Sequence, residues 1–426
     1  MYSNVLGIFL GNIKALRYYV NSVDVTIDGD INNFNKKDSV SSEEFIAMIL
    51  KGCVIDKQKG VTNTADKVIK KLPENTTEAQ IENIKKLYEY VNSVVDRLNL
   101  EDKNAYSYTR LSKEIKEEFE KIDSLVDQKA ILYNGSLMLL ITYYENLVAN
   151  SFKSDFIKHP ERIKLDSKGV TYKVIVEYND LELIREHLVE EEVTSMMYKS
   201  HEDWMAYFSD KIKLDIPYIK DRQEDIKEII ARRNLLVHNN GIVNSIYLSI
   251  TQSKKIKKGT TLRMSKSYLN KAINIIEAAG LSLAIELWLK EYGAIEDEVE
   301  KVSAILYSEC LEAKKWELGK VLFNISYKCK HLSDAYYLTF RLNMWQCCKW
   351  LEQIDDVKKD ILELDVSAKL PRYKLAILAL LDKEEEFWLE YDKQSDINEN
   401  ALRTWPIFNG IRDGKIYNDR HSVEEV

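Results

Sequence analysis

Arg232-Arg233-Asn234-Leu235-Leu236-Val237-His238-Asn239-Asn240-Gly241 crowds two guanidinium groups, an imidazole, three amides and a helix stop into ten residues. An imidazole both takes and gives a proton near neutral pH. A guanidinium grips phosphate or carboxylate oxygens through its planar fork. An amide can orient either group. The set suits acid–base chemistry beside an anion.

The elements around it must place these groups. Asp221 to Ile230 carries Ile226, Ile229 and Ile230 at i, i+3 and i+4, which predicts a helix. Asn239-Asn240-Gly241 are the residues that most readily adopt positive φ, so the helix is predicted to end there in a left-handed cap. His238 then falls in the last turn, where the helix dipole favours a cation. Arg233 and His238 are five apart, about 140° around an ideal helix, so they do not share one face. A distorted last turn, a long reaching arginine or donation from two chains must bring them together.

The whole chain has 426 residues, 45% hydrophobic and 31% charged, with only 14 Gly and 5 Pro. So few breakers predict a mainly α protein with short connections. The net charge of −8 excludes a general nucleic-acid coat and makes any such contact local. Lys254, Lys255, Lys257 and Lys258, with Arg263, Lys266 and Lys271, form one basic island just after the motif. It suits the backbone of RNA, although a lysine loop is often simply solvated. Five cysteines without a CxxC pair predict neither a zinc site nor a disulfide framework and fit a cytoplasmic setting. No cofactor is expected. The Val5–Leu10 run is too short for a signal peptide, and no window is expected to approach a membrane span.

Along the chain, Leu6–Val20 fits a helix or a strand and turn, Val23–Ile27 a short strand, and Asp28–Ser42 a loop. Thr77-Glu78-Ala79-Gln80 is a capping box before a stripe from Ile81 to Val95. Leu111–Leu125 and Ala130–Phe152 follow as helices. The second is apolar on nearly all sides and holds Glu145 as a lone acid, at a solvent edge or paired with a base. Thr171–Tyr178 alternates and predicts a strand of a small β-hairpin. Tyr247–Thr251 and Thr261–Met264 look like two more extended pieces. His187 and His201 are expected at the surface. Ser265–Tyr292 is expected to be amphipathic. From Glu298 to Tyr391 come paired short helices, repeat-like in the manner of tetratricopeptide arrays.

Arg233-Asn234-Leu235-Leu236-Val237-His238 resembles the Arg-x4–6-His motif of HEPN-domain ribonucleases, with a polar residue after the arginine. The run on to Asn244 is similar to HEPN nucleases of bacterial toxin and phage-defence systems. Tyr143-Tyr144-Glu145-Asn146 resembles the family's other core helix, which carries a Glu. The likeness covers residues 111–292. It implies a HEPN-type helical bundle with the β-hairpin as an insertion, followed by the repeat-like helical region. The expected limits are 1–105 for an N-terminal region, 106–293 for the nuclease domain and 294–426 for the remainder.

The resemblance further implies metal-independent RNA cleavage that leaves 2′,3′-cyclic phosphate ends. Such chemistry needs a base for the 2′-hydroxyl, a cation for the crowded phosphate and an acid for the leaving 5′-oxygen. His238 would move the proton, Arg233 would clamp the phosphate and Asn234 would orient them, with Arg232, Asn239 and Glu145 in support. Arg232 also fits the spacing, so either arginine can be the catalytic one. Two chains would form one composite site, in a defence or toxin–antitoxin effector held in check by a cognate inhibitor or sensor protein. The alternative is a non-catalytic scaffold of the same type that dimerises and recruits a partner.

Overall fold

The computed structural model describes residues 2–37, 105–163, 170–253, 255–393 and 396–421. The capping box at Thr77, the stripe after it and Lys254 lie outside the described residues. Among the described residues the chain is mainly helical, and its sole sheet-like feature is one antiparallel bridge, Ile242 to Thr261.

In chain order the helices begin with α1 (Tyr2–Lys37) and α2 (Ala105–Lys158). Next come α3 (Tyr172–Tyr178), α4 (Leu181–Met197), and α5 (His201–Ala206) with a π-helical turn at Tyr207–Lys211. Then follow α6 (Pro217–Asp221), α7 (Gln223–Asn239), α8 (Ser245–Thr251) and α9 (Lys266–Tyr292). Beyond lie α10 (Glu296–Leu306), a π-helical turn at Tyr307–Glu312, α11 (Trp316–Tyr327) and α12 (Asp334–Trp350). Five of the remaining segments are α13 (Lys358–Glu363), α14 (Pro371–Leu380), α15 (Glu384–Lys393), α16 (Glu399–Thr404) and a 3-10 turn at Pro406–Phe408.

The chain divides into two compact units. One holds Leu16–Ser136 and Arg263–Ser265. In it the Tyr133 hydroxyl donates to the buried carboxylate of Asp24, with Lys129 Nζ 3.5 Å from the same group. The other holds Met1–Ala15, Leu137–Leu262 and Lys266–Val426, and contains the motif.

Helix α9 is the axis of that second unit. Almost every residue from Leu269 to Leu289 is buried. It is long and apolar enough to cross a membrane by composition alone, contrary to the expectation for this sequence. Within the fold, 89% of its most apolar window is buried, which is the pattern of a core helix. Its one deep acid, Glu277, is paired with Lys315 at 2.9 Å.

Several extended segments expected from the sequence are helical instead. The predicted hairpin strand Thr171–Tyr178 is α3, closed by Asn179 at φ 46°. Val23–Ile27 and the first part of the expected loop after it belong to α1. Tyr247–Thr251 lies in α8, where the Asn244 side chain accepts from Tyr247 N at 2.9 Å. A strand needs a neighbour for its N–H and C=O groups, whereas a helix satisfies its own. None of these runs has such a neighbour among the described residues, apart from Thr261 in its single bridge. The two helices expected over 111–152 are one, α2, of 54 residues.

Candidate active site

Helix α7 carries the motif. Ile226 and Ile229 are buried beneath it and fix which face looks outward. Its end is a left-handed cap: Asn240 has φ 48°, Gly241 has φ 75°, and Gly241 N donates to Leu235 O at 3.1 Å. Asn239 caps the turn through its side-chain amide, which donates to Ile242 O.

The chain after the cap folds back on it. Val243 N donates to Thr260 O, Gly259 N to Val243 O, and Leu262 N to Gly241 O, at 2.8 to 2.9 Å. Ile256 and Leu262 pack on a small core of Ala231, Leu235, Val243 and Tyr247. The lysine loop is therefore pinned to the motif by backbone bonds and by one apolar anchor between its bases. Lys255, Lys257 and Lys258 stand exposed on it.

The two arginines have different surroundings. Arg232 Nε donates to Glu228 Oε1 at 2.8 Å, and its guanidinium lies 3.9 Å from the Tyr268 ring centroid. Glu228 also accepts from the Tyr247 and Tyr268 hydroxyls at 2.6 and 2.5 Å. Arg232 is held inside this cluster. Arg233 turns the other way, into a cleft of about 540 Å³ that Glu145, Asn234 and His201 also line. There Nη2 donates to Glu145 Oε2 at 3.1 Å and Nη1 to Asn234 Oδ1 at 3.0 Å. Burial pushes the Glu145 carboxyl up from its ordinary value, and the Arg233 charge offsets part of that rise.

His238 is not in this cleft. It is exposed one turn beyond Asn234, on the same side of α7, and no described residue engages its ring. The structure thus brings Glu145, Arg233 and Asn234 together in one chain and leaves His238 facing outward. On α7, α8 and the turn between them, Val237, Ile242, Ile246 and Ile250 are apolar and 39 to 69% exposed.

His201, expected at the surface, is buried and borders the cleft. Its Nε2 is 3.0 Å from the hydroxyl of Tyr144, the residue before Glu145, and its Nδ1 has no hydrogen-bond partner. Burial lowers its pKa to about 4, against a smaller opposing pull from Glu202, so it is neutral at pH 7. The sequence held a sign of this. His201, Trp204, Met205 and Phe208 fall at i, i+3, i+4 and i+7, and all four are buried. His187, also expected at the surface, is half-buried, with Nδ1 3.3 Å from the Tyr178 hydroxyl. Among the described residues no group of three or more His, Cys, Asp or Glu side chains is placed to hold a metal ion.

No protein-family model, curated protein or solved structure matches the chain.

Proposed function

We propose that the chain is a metal-independent endoribonuclease of the HEPN type, with Arg233, Asn234 and His238 as its reacting groups. The observation that carries the reading is the division of the motif. Arg233 is oriented by Glu145 and Asn234 at the edge of an open cleft, while His238 stands unengaged at the end of the same helix.

In this reading two copies meet across the exposed apolar side of α7 and α8, where Val237, Ile242, Ile246 and Ile250 are uncovered. His238 of one copy then faces Arg233 of the other. The RNA phosphate competes with Glu145 for the guanidinium, whose fork holds the equatorial oxygens. One imidazole takes the 2′-hydroxyl proton, and protonated imidazole returns it to the departing 5′-oxygen. Asn234 keeps the guanidinium turned toward the phosphate. Lys255, Lys257 and Lys258 hold the flanking backbone.

The test is cleavage of RNA in EDTA with analysis of the ends. The reading expects 2′,3′-cyclic phosphate ends from wild type and none from His238→Ala or Arg233→Ala. Strict dependence on magnesium would overturn it.

The Arg233–Glu145 ion pair also favours a second reading, a non-catalytic scaffold in which that pair only joins α7 to α2. The cleavage assay, with gel filtration beside it, separates the two. A dimer that cuts no RNA, with both variants behaving as wild type, would establish the scaffold.

A further inference from the structure

A groove outside the motif lies among the C-terminal helices, with a volume of about 700 Å³. Its walls are α10, the π-helical turn Tyr307–Glu312, α12, α14 and the turn at Trp405-Pro406. Nothing in the nuclease reading uses it.

Its lining is rich in aromatic rings. Tyr307, Tyr336, Tyr373 and Trp405 all border it. Elsewhere some rings are covered by the chain's own cations. Arg341 lies 4.6 Å from the Trp345 centroid, Arg420 4.3 Å from Trp388 and Arg232 3.9 Å from Tyr268. Among the described residues none of the four groove rings carries such a cation. Two carboxylates, Glu300 and Glu312, sit on the rim without an ion-pair partner among the described residues. Glu300 and Tyr336 line the same groove, and the Tyr336 phenol is raised by burial and then by the Glu300 charge.

The cations nearby are already committed. Arg372 Nε is 2.5 Å from Asp396 Oδ2. Arg412 donates to the carbonyls of Leu402 and Trp405 at 2.7 and 2.9 Å. Aromatic rings beside unpaired carboxylates are the surroundings a cation seeks.

Two further features point to a ligand. Gln346, 1% exposed, borders the groove, and its Nε2 has no hydrogen-bond partner. A buried amide left so costs stability unless something accepts from it. Tyr336, Thr339, Asn343 and Gln346 also share one face of α12, giving a row of hydroxyl and amide groups along the groove. The other feature is the π-helical turn. In an α-helix, residues five apart diverge by about 140°, so Tyr307 and Glu312 would not both face the groove. The wider turn lets both line it, and such turns are frequent at functional sites.

We propose that this groove docks an extended segment of a partner protein through a lysine or arginine side chain. The cation sits between Glu300, Glu312 and the tyrosine rings, and the Asn343 and Gln346 side-chain amides donate to the segment's backbone carbonyls.

The experiment uses the full chain and immobilised pools of short randomised peptides whose fixed central residue is Lys, Arg, Glu or Leu. Lys and Arg pools are expected to bind about tenfold more tightly than Glu or Leu pools, the scale of one desolvated cation–π site with its carboxylates. The double variant Glu300→Gln/Glu312→Gln should bring that preference below about twofold, while Glu385→Gln, an exposed acid elsewhere, leaves it intact. These acids are exposed, so unchanged circular dichroism and melting will show that the fold is kept. Tyr336→Ala should lose the preference as well. Equal binding by all pools, or a preference that survives the double variant, would overturn the proposal. So would binding of free spermidine in the groove with no binding of any peptide pool.

Discussion

Arg233 Nη2 lies 3.1 Å from Glu145 Oε2, although 88 residues separate the two in sequence. The contact ties the motif helix to α2 and gives the guanidinium one fixed direction. Each partner keeps about a quarter of its side chain exposed, at 23% and 28%. A pair so placed contributes little to stability and much to orientation. Arg232, one residue earlier, has the opposite balance, being only 13% exposed and locked on Glu228.

That contrast separates the arginines by experiment. Arg233→Ala is expected to change unfolding free energy by no more than about 1 kcal/mol, as for other partly exposed pairs. It should abolish RNA cleavage. Arg232→Ala removes a stacked guanidinium from a partly buried carboxylate and should cost about 2 kcal/mol or more. Urea titrations beside cleavage assays will distinguish them. A stability loss of equal size in both would contradict the separation.

Glu145→Gln tests the neutralising role of the acid. Without its charge, Arg233 is free to meet phosphate, so RNA affinity at low salt should rise. The salt slope should steepen by up to about one unit, because the phosphate no longer displaces a carboxylate whose charge must be screened again. Single-turnover cleavage should slow, because the guanidinium loses its charged anchor. Unchanged affinity and an unchanged rate would leave Glu145 with no part in the site.

How far the sequence revealed this arrangement depends on distance along the chain. The cap at Asn240-Gly241 and the buried Ile226 and Ile229 were legible, since each is set by residues within two turns. The Glu145–Arg233 pairing was not, because a lone acid in an apolar run does not say which base it meets. The burial of His201 was visible only through its spacing to Trp204 and Phe208. Alternation misled in Thr171–Tyr178, where Val174, Ile175 and Val176 favour a strand. That preference reflects packing in a pleated sheet, and no sheet is present among the described residues to receive it. In α1, Val20, Asp24 and Ile27 lie on one buried stripe, and a polar residue at a core position hid the helical period.

His238 permits a test of chain number. His238→Ala should leave stability within about 0.5 kcal/mol, since the residue is exposed. It should lower cleavage at least about a hundredfold. An equal mixture of Arg233→Ala and His238→Ala chains, dissociated and reassembled, should regain about a quarter of wild-type activity if each site draws one residue from each copy of a twofold dimer. Half the dimers are then mixed, and one of their two sites is intact. No recovery would place both residues of a working site in one chain.

His201 predicts a pH dependence of folding. Its pKa falls from the ordinary 6.5 to about 4 in the folded protein, chiefly through burial. The unfolded chain therefore binds a proton below about pH 6.5 that the folded chain refuses until about pH 4. The stability present above pH 6.5 is lost as pH falls through this window. At about 1.4 kcal/mol per unit, the loss is on the order of 3 kcal/mol. In His201→Gln this component should vanish, so the variant's urea midpoint should fall less between pH 7 and pH 4. Parallel decline of both proteins would mean that His201 takes its proton in the folded state as readily as in the unfolded one.

Two glycines should respond to alanine with opposite signs. A Cβ at Gly280, in the buried axis helix α9, would lie 2.5 Å from Phe9 Cζ and 2.9 Å from Leu147 Cδ2. Phe9 and Leu147 are themselves buried, so neither can move away without disturbing the core. Gly280→Ala is expected to cost about 1 to 3 kcal/mol. Gly11, on an exposed side of α1, has nothing within 4 Å of the same position. There alanine only restricts the unfolded chain and favours the helix, so Gly11→Ala should stabilise by about 0.5 to 1 kcal/mol. Melting of both variants at one protein concentration decides the matter. If Gly280→Ala were as stable as wild type, the close approach of α1 and α2 to the axis helix would have to be abandoned.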